Sequence, residues 1–336
     1  MKDVARQAGV STAAVSYVLN QRLAEVSEAT RLRILEAVEA LGYQPNALAR
    51  SLAGRPTRSL GVVWAESDSG LEEGGLSSFL AGLGEAIYAS GYALALAGGL
   101  APGELAARLS DLLSRQVNGL LLLGSSFPED RRLAARLWDR PCPLVVCGDV
   151  PEGVPAARVD VDHREGTRLA GRHLLALGHR RLAYLDAPGD WPYRFRREGF
   201  LAAAREADPR PEVTVVTTDG SEVGGYQAGE QLLVAKNRPT GFACANDAVA
   251  IGLLRAAWRH GVAVPEEVAV VGFGDCPAAA YTVPTLTTVR GSLRAVGAEA
   301  GRILVEAVSG GRPAQGVYLV PPKLVVRESC GSHLWL

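Results

Sequence analysis

The chain has 336 residues, 48% hydrophobic and 21% charged, with a net charge of −1. That length and apolar content exclude a disordered or fibrous chain and allow a small domain beside a large core. The charge is unevenly placed: residues 1–58 carry eight Lys/Arg against five Asp/Glu while the rest nets −4, which suits phosphate contact at one end only.

The first segment, MKDVARQAGVSTAAVSYVLN, reads as two short helices joined by a tight turn. Asp3 is expected to cap the first, with Val4, Ala5 and Ala8 on one apolar side and Gly9 easing the exit. Ser11 caps the second, whose Val15, Val18 and Leu19 face inward at i, i+3, i+4. Its outward Thr12, Ala13, Ser16 and Tyr17, with Asn20 beyond, are small or hydrogen-bonding, the profile of a face that meets base edges and phosphates. Ser27 starts a third helix in which Ala29 or Leu32, then Leu35, Val38 and Leu41, are expected inward before Gly42 ends it.

In YQPNALARSLAG, Pro45 precedes Asn46, a good N-cap, and Ala47 to Ala53 are helix formers. An isolated helix needs about 12–15 residues to be stable, so this shorter segment is expected to be helical only when something holds it. With Leu52 exposed, it is a candidate conditional switch.

From Leu60 onward, short apolar runs alternate with amphipathic segments: 60–65, 92–99, 118–125 and 144–150, then 182–187, 213–220, 241–247 and 268–275. Such runs suit parallel strands buried on both faces, and two successive sets imply two doubly wound lobes. Residues 157–166 and 286–290 read as crossing strands between them. The fold class is therefore α/β: a helix-turn-helix headpiece (1–45), a hinge helix and linker (46–58), and a two-lobed core (59–336).

In doubly wound sheets, ligands bind beyond the carboxyl ends of the strands. Asp149, Asn246, Asp247 and Asp275 stand at such ends, and Tyr193 and Arg196 lie where a loop enters a helix after 182–187. No strand runs into GxGxxG, there is no Gly-Lys pair, and the five histidines form no HExxH, so neither an enzyme nor a cofactor is expected. The five cysteines include no CxxC pair, which fits reduced thiols and no metal site. No apolar signal segment opens the chain and no stretch approaches eighteen apolar residues, so a cytoplasmic protein without a membrane role is expected.

DVARQAGVSTAAVSYVLN, VSEATRLRILEAVEALGYQPNALARSLAG and VAVVGFGDCPAAAYTVPTLTTVR resemble, in order, the pattern of the lactose/galactose repressor (LacI/GalR) family of transcriptional regulators. The resemblance spans essentially the whole chain and implies a periplasmic-binding-protein-like core. It also implies a homodimer on a near-palindromic double-stranded operator, controlled by a small-molecule effector, a sugar or related metabolite, on the nucleoid. Thr12, Ala13 and Tyr17 sit where the family reads major-groove bases. Asn46, Leu52 and Ala53 fall on the hinge helix, whose leucine wedges into the central base step. Asp149, Arg196 and Asn246 match effector-contacting positions.

Three departures stand out. Tyr17 replaces the family's usual Arg or His, so the usual base preference does not carry over. Gly274 replaces one of two acidic residues, leaving Asp275, and Gly220 replaces an aromatic platform, a place Trp191 and Tyr193 are free to fill. The ending VVRESCGSHLWL has no leucine heptads, so a dimer rather than a tetramer is expected, resting on core helices next to the hinge.

Overall fold

The computed structural model describes residues 1–19, 25–43, 57–65, 75–100, 104–114, 117–124, 142–150, 156–189, 191–310 and 314–331. Two compact units result, Met1–Thr57 and Arg58–Leu336.

The first unit holds α1 (Lys2–Ala8), α2 (Thr12–Leu19) and α3 (Glu28–Ala40). Its core is Val4, Ala5, Ala8, Val15, Val18, Ile34 and Ala37. Gly9 closes α1 at φ 62°, a left-handed turn that glycine makes without a Cβ penalty. Ser11 Oγ accepts the Ala14 N–H at 3.2 Å and Ser27 Oγ the Thr30 N–H at 3.4 Å, satisfying donors that a helix start leaves open.

Two expectations fail here. Asp3 caps nothing; it lies inside the first turn of α1 and pairs with Arg6 at 2.8 Å instead. The α3 stripe is also rotated: Leu32, Leu35 and Leu41 face solvent, Leu32 being 53% exposed. Two apolar stripes compete on this helix, and Ile34, Ala37 and Val38, at i, i+3, i+4, win the narrow space against α1 and α2. The expected hinge helix lies outside the described residues.

The second unit is built on two six-stranded sheets, ordered β11-β5-β4-β3-β1-β2 and β12-β10-β9-β8-β6-β7. In chain order β1 is Ser59–Ala65, β2 Ala93–Leu100, β3 Gly119–Gly124, β4 Leu144–Gly148, β5 Ala157–Val161 and β6 Arg181–Asp186. Then follow β7 (Glu212–Thr217), β8 (Gly241–Cys244), β9 (Ala269–Phe273), β10 (Thr287–Arg290), β11 (Gly316–Val320) and β12 (Lys323–Val325). Every pairing is parallel except β10 with β12. β3, β4, β8 and β9 are buried along their whole length, as continuous apolar runs require. The edge strands β2 and β7 are not, and β7 has only exposed and half-buried residues.

The helices are α4 (Gly75–Tyr88), α5 (Leu105–Ser114) and α10 (Leu293–Gly310) in the first lobe. The second has α6 (His163–Ala176), α7 (Tyr193–Glu206), α8 (Glu222–Leu232) and α9 (Asp247–His260). They pack in pairs at close range. A Cβ on Gly82 of α4 would stand 1.9 Å from the Arg294 carbonyl oxygen, and one on Gly297 of α10 2.1 Å from that of Phe79. Gly225 of α8 and Gly252 of α9 meet the partner backbone in the same way, at 2.1 and 2.0 Å.

The chain crosses between lobes three times: from β5 into α6, from β10 into α10, and from β11 into β12. The first two crossings agree with expectation. The third, at Pro321–Pro322, does not appear among the expected elements, because β11 is an exposed edge and β12 has only three residues. Neither carries a buried apolar run. All three crossings leave from carboxyl ends of strands, so those ends of both sheets meet at the lobe junction. Among the described residues no helix is long and apolar enough to cross a membrane.

Candidate functional site

The first candidate surface is the outer side of α2. Thr12 and Ala13 are exposed, and Ser16 and Tyr17 are half-buried one turn on. Val15 and Val18 pin the opposite side of the same helix in the core, so the face is presented on a rigid support. Asn20, Asn46, Leu52 and Ala53 lie outside the described residues.

The second candidate is the lobe junction. Arg196, in the first turn of α7, is its centre. Its Nε donates to His163 Nδ1 at 3.3 Å and its Nη1 to the Ala245 carbonyl at 2.6 Å. The guanidinium carbon lies 3.8 Å from the centre of the Phe273 ring and 5.4 Å from that of Tyr193. Burial lowers its pKa while Tyr193, Tyr184, Asp160 and Asp247 raise it; an arginine so placed stays charged.

The other expected residues sit around it with different commitments. Asp149, half-buried after β4, accepts the Val150 N–H at 3.1 Å. Asn246 caps α9, accepting the Val249 N–H at 2.8 Å and donating to the Gly220 carbonyl at 2.9 Å. Asp275, at φ 57°, accepts from Arg327 at 2.6 Å and pairs with Arg290. All three polar side chains are thus already engaged by the protein. Two departures from the family pattern have a backbone reason: Gly220 (φ 86°) and Gly274 (φ 134°) occupy conformations that favour glycine.

Sequence reasoning missed a buried cluster beside Arg196. Asp160 on β5 accepts from Trp191 Nε1 at 2.8 Å, Arg158 Nη2 at 2.9 Å and His163 Nε2 at 3.2 Å. Burial alone would raise its pKa, but these hydrogen bonds, that from His163 foremost, hold it below the usual carboxylate value. Burial lowers the pKa of His163, as do the Arg196 and Arg158 charges, with Asp160 opposing. Phe273, beneath Arg196, was also missed. One signal was available: Arg158 and Asp160 are charged residues two apart in a strand whose Val159 and Val161 are buried. Asp247 is buried too, accepting from Thr288 Oγ1 at 2.5 Å and the Cys276 N–H at 2.8 Å; burial pushes its carboxyl pKa up. Among the described residues no group of three His, Cys, Asp or Glu side chains is placed to hold a metal ion.

Comparison with known proteins joins the two surfaces. Residues 1–46 match the family described as bacterial regulatory proteins, lacI family, and residues 172–330 match a periplasmic binding protein-like domain. The HTH-type transcriptional repressor PurR of Mannheimia succiniciproducens is 31% identical over 332 residues, covering 98% of each chain. The chain belongs to the LacI family. The PurR repressor of Pectobacterium carotovorum is similar at 34% identity over 344 residues, covering 100% of this chain and 98% of that one.

Solved structures of LacI-family proteins agree. The lac repressor dimer bound to operator and the anti-inducer ONPF superposes with a TM-score of 0.80 at 29% identity, 98% of each chain being covered. The complex of the transcriptional regulator CelR with cellobiose gives 0.69 at 32% identity, again over 98% of each. As a LacI-family member, the chain is a DNA-binding regulator of transcription with a small-molecule-binding core.

Proposed function

We propose that the protein represses transcription as a homodimer on a two-fold operator, and that a small molecule held between the lobes around Arg196 sets its affinity for DNA. The observation that carries this reading is the joining, in one chain, of an α2 whose Thr12 and Ala13 stand exposed to a two-lobed unit crossed three times by the chain. Such crossings let one lobe turn against the other, the geometry of ligand-driven closure. The headpiece spans 1–45, the hinge helix and linker 46–58, and the core 59–336.

Thr12, Ala13, Ser16, Tyr17 and Asn20 read the major groove. Asn46, Leu52 and Ala53 act in the minor groove, where Leu52 opens a base step; unstacking costs a few kcal/mol, offset by contacts made only on bent DNA. A coupling of about 1–3 kcal/mol between cleft and hinge suffices to form or melt so short a helix. Asp149, Tyr193, Arg196, Asn246 and Asp275 surround the effector, a sugar or related metabolite; the CelR structure holds cellobiose. No catalytic step is assigned, the related PurR proteins being repressors. The work is done in the cytoplasm, on the nucleoid.

The second protomer docks not only next to the hinge, as the sequence suggests, but also on the second lobe, where Trp258, Tyr281 and Val283 are 69%, 85% and 93% exposed. Single exposed apolar residues are ordinary, and the docking face is assigned to these three because they are the most exposed of that lobe's described large apolar side chains.

A thermal-shift screen of sugars, nucleosides and amino acids, paired with selection of bound sequences from random DNA, tests the proposal. A stabilising compound that also shifts the affinity for the selected, two-fold symmetric site is the expected result. Selection that enriches no symmetric motif, or a stabilising compound without effect on DNA binding, overturns it.

A further inference from the structure

We propose that His163 is a positioning residue that ties the cleft arginine to the opposite lobe through a single tautomer, and that protonating its ring breaks the tie. The inference rests on reading the cleft around Arg196 as the effector site.

Asp160 is the next-to-last residue of β5, in the first lobe, and His163 is the first residue of α6, in the second. The imidazole therefore sits on the crossing itself. Its two nitrogens face opposite demands. Arg196 Nε always carries its hydrogen, so His163 Nδ1, 3.3 Å away, must accept. The one proton of the neutral ring is then on Nε2, aimed at Asp160 Oδ1 at 3.2 Å. The reverse tautomer sets two N–H groups against each other on one side and, on the other, turns a bare ring nitrogen toward Asp160 Oδ1, which keeps only the Val161 N–H at 2.8 Å. A doubly protonated ring sets a cation and a donor against the guanidinium.

Asp160 holds the same segment by a second route. Its other oxygen accepts from Trp191 Nε1 at 2.8 Å, two residues before Tyr193 and five before Arg196. Arg158, which also bonds that oxygen, lies 5.1 Å from the ring centre of Phe195, between them. One carboxylate of the first lobe thus fixes the start of α7 by its loop and the arginine by way of His163. Turning about the β5–α6 crossing moves both.

The charged groups facing the imidazole are Asp160 and Arg158 from β5 and Arg196 from α7; Trp191 meets the ring edge-on at 6.0 Å and Phe273 of β9 at 5.6 Å. Two cations against one anion, with burial, favour the neutral ring at neutral pH. Protonation has to disturb the Arg196 contact first, because that is where the like charges meet.

The test uses the full-length protein and protons as the only ligand, so its failure leaves the effector reading untouched. Long-range nitrogen–proton NMR on histidine-labelled protein reads the tautomer, with Trp191→Phe identifying the His163 signals through the ring contact. The expected spectrum shows hydrogen on Nε2, and titration with a midpoint below 6.5. Trp191 emission, taken as wild type minus Trp191→Phe, should step at the same midpoint. His163→Gln, whose amide accepts and donates in the same sense without titrating, should abolish the step while keeping the neutral-pH emission. Hydrogen on Nδ1, a Trp191 signal that ignores the His163 titration, or a step persisting in His163→Gln would each overturn the proposal. The tautomer is read on unsubstituted His163, so a poorly folding glutamine variant does not shield it.

Discussion

Tyr17 and Asp160 show how differently single residues carry this protein. Tyr17 is half-buried on α2 beside exposed Thr12 and Ala13, a phenol held on a rigid helix. A specific side-chain-to-base contact is worth roughly 1–3 kcal/mol of discrimination. Tyr17→Ala should therefore relax base preference at one position in each half-site and leave non-specific binding nearly unchanged. Sequence selection returning the wild-type motif would remove Tyr17 from the reading face. Asp160 does its work inside. Its folded pKa lies below the unfolded value of 3.8, so it contributes stability that is present above that pH and lost as pH falls through the folded pKa. Asp160→Asn keeps the shape but leaves four donors facing a weaker acceptor, and should cost about 1–3 kcal/mol in urea unfolding at pH 7. The deficit should narrow at pH below 3.8, where wild type also loses its charge. A deficit that ignores pH would locate the effect in packing instead.

At the scale of elements, what the sequence revealed and what it hid have physical causes. Caps at Ser11 and Ser27 and the turn at Gly9 are local, so each could be read from a few neighbouring residues. Buried central strands announce themselves as apolar runs, whereas the edge strand β11 and the short β12 do not. The α3 stripe was misread because Leu32 and Leu35 have the same spacing as residues that are buried, and only the neighbours α1 and α2 decide between stripes. The Asp160 cluster was invisible for another reason. Asp160, His163, Trp191 and Arg196 are joined by a lobe crossing, and their chemistry is no short-range motif. The helix pairs are similarly a matter of assembly. Gly82 and Gly297 let α4 and α10 approach until a Cβ would overlap backbone carbonyls. Backbone cannot give way as a side-chain tip does, so Gly82→Ala should separate these helices and cost about 1–3 kcal/mol, or more. An unchanged denaturation midpoint would mean the helices slide apart freely.

For the whole molecule, the question is how two headpieces come to act as one. A single headpiece has a small core and few contacts to offer, and a two-fold operator rewards linkage. Once one headpiece is bound, the other is held close, and tethering of this kind raises binding by about 10²–10⁴ without any new contact. The linkage must come from the core, and its second lobe bears the exposed Trp258, Tyr281 and Val283. Fully burying a side chain such as Val283 is worth about 1.5–3 kcal/mol, and placing a carboxylate there reverses the sign, because an unpaired charge is costly to desolvate. Trp258→Asp combined with Val283→Asp should therefore give a monomer in sedimentation at micromolar concentration. The monomer should keep its circular dichroism and any effector-induced thermal shift, since the partners that hold Arg196 and Asp160 are other residues. Its operator affinity should fall by the tethering factor, while affinity for an isolated half-site stays as in wild type. A double variant that remains dimeric would move the interface elsewhere on the core. A monomer that still binds the full operator with wild-type affinity would be more damaging, since each headpiece would then need no partner and the two-fold site would lose its physical reason.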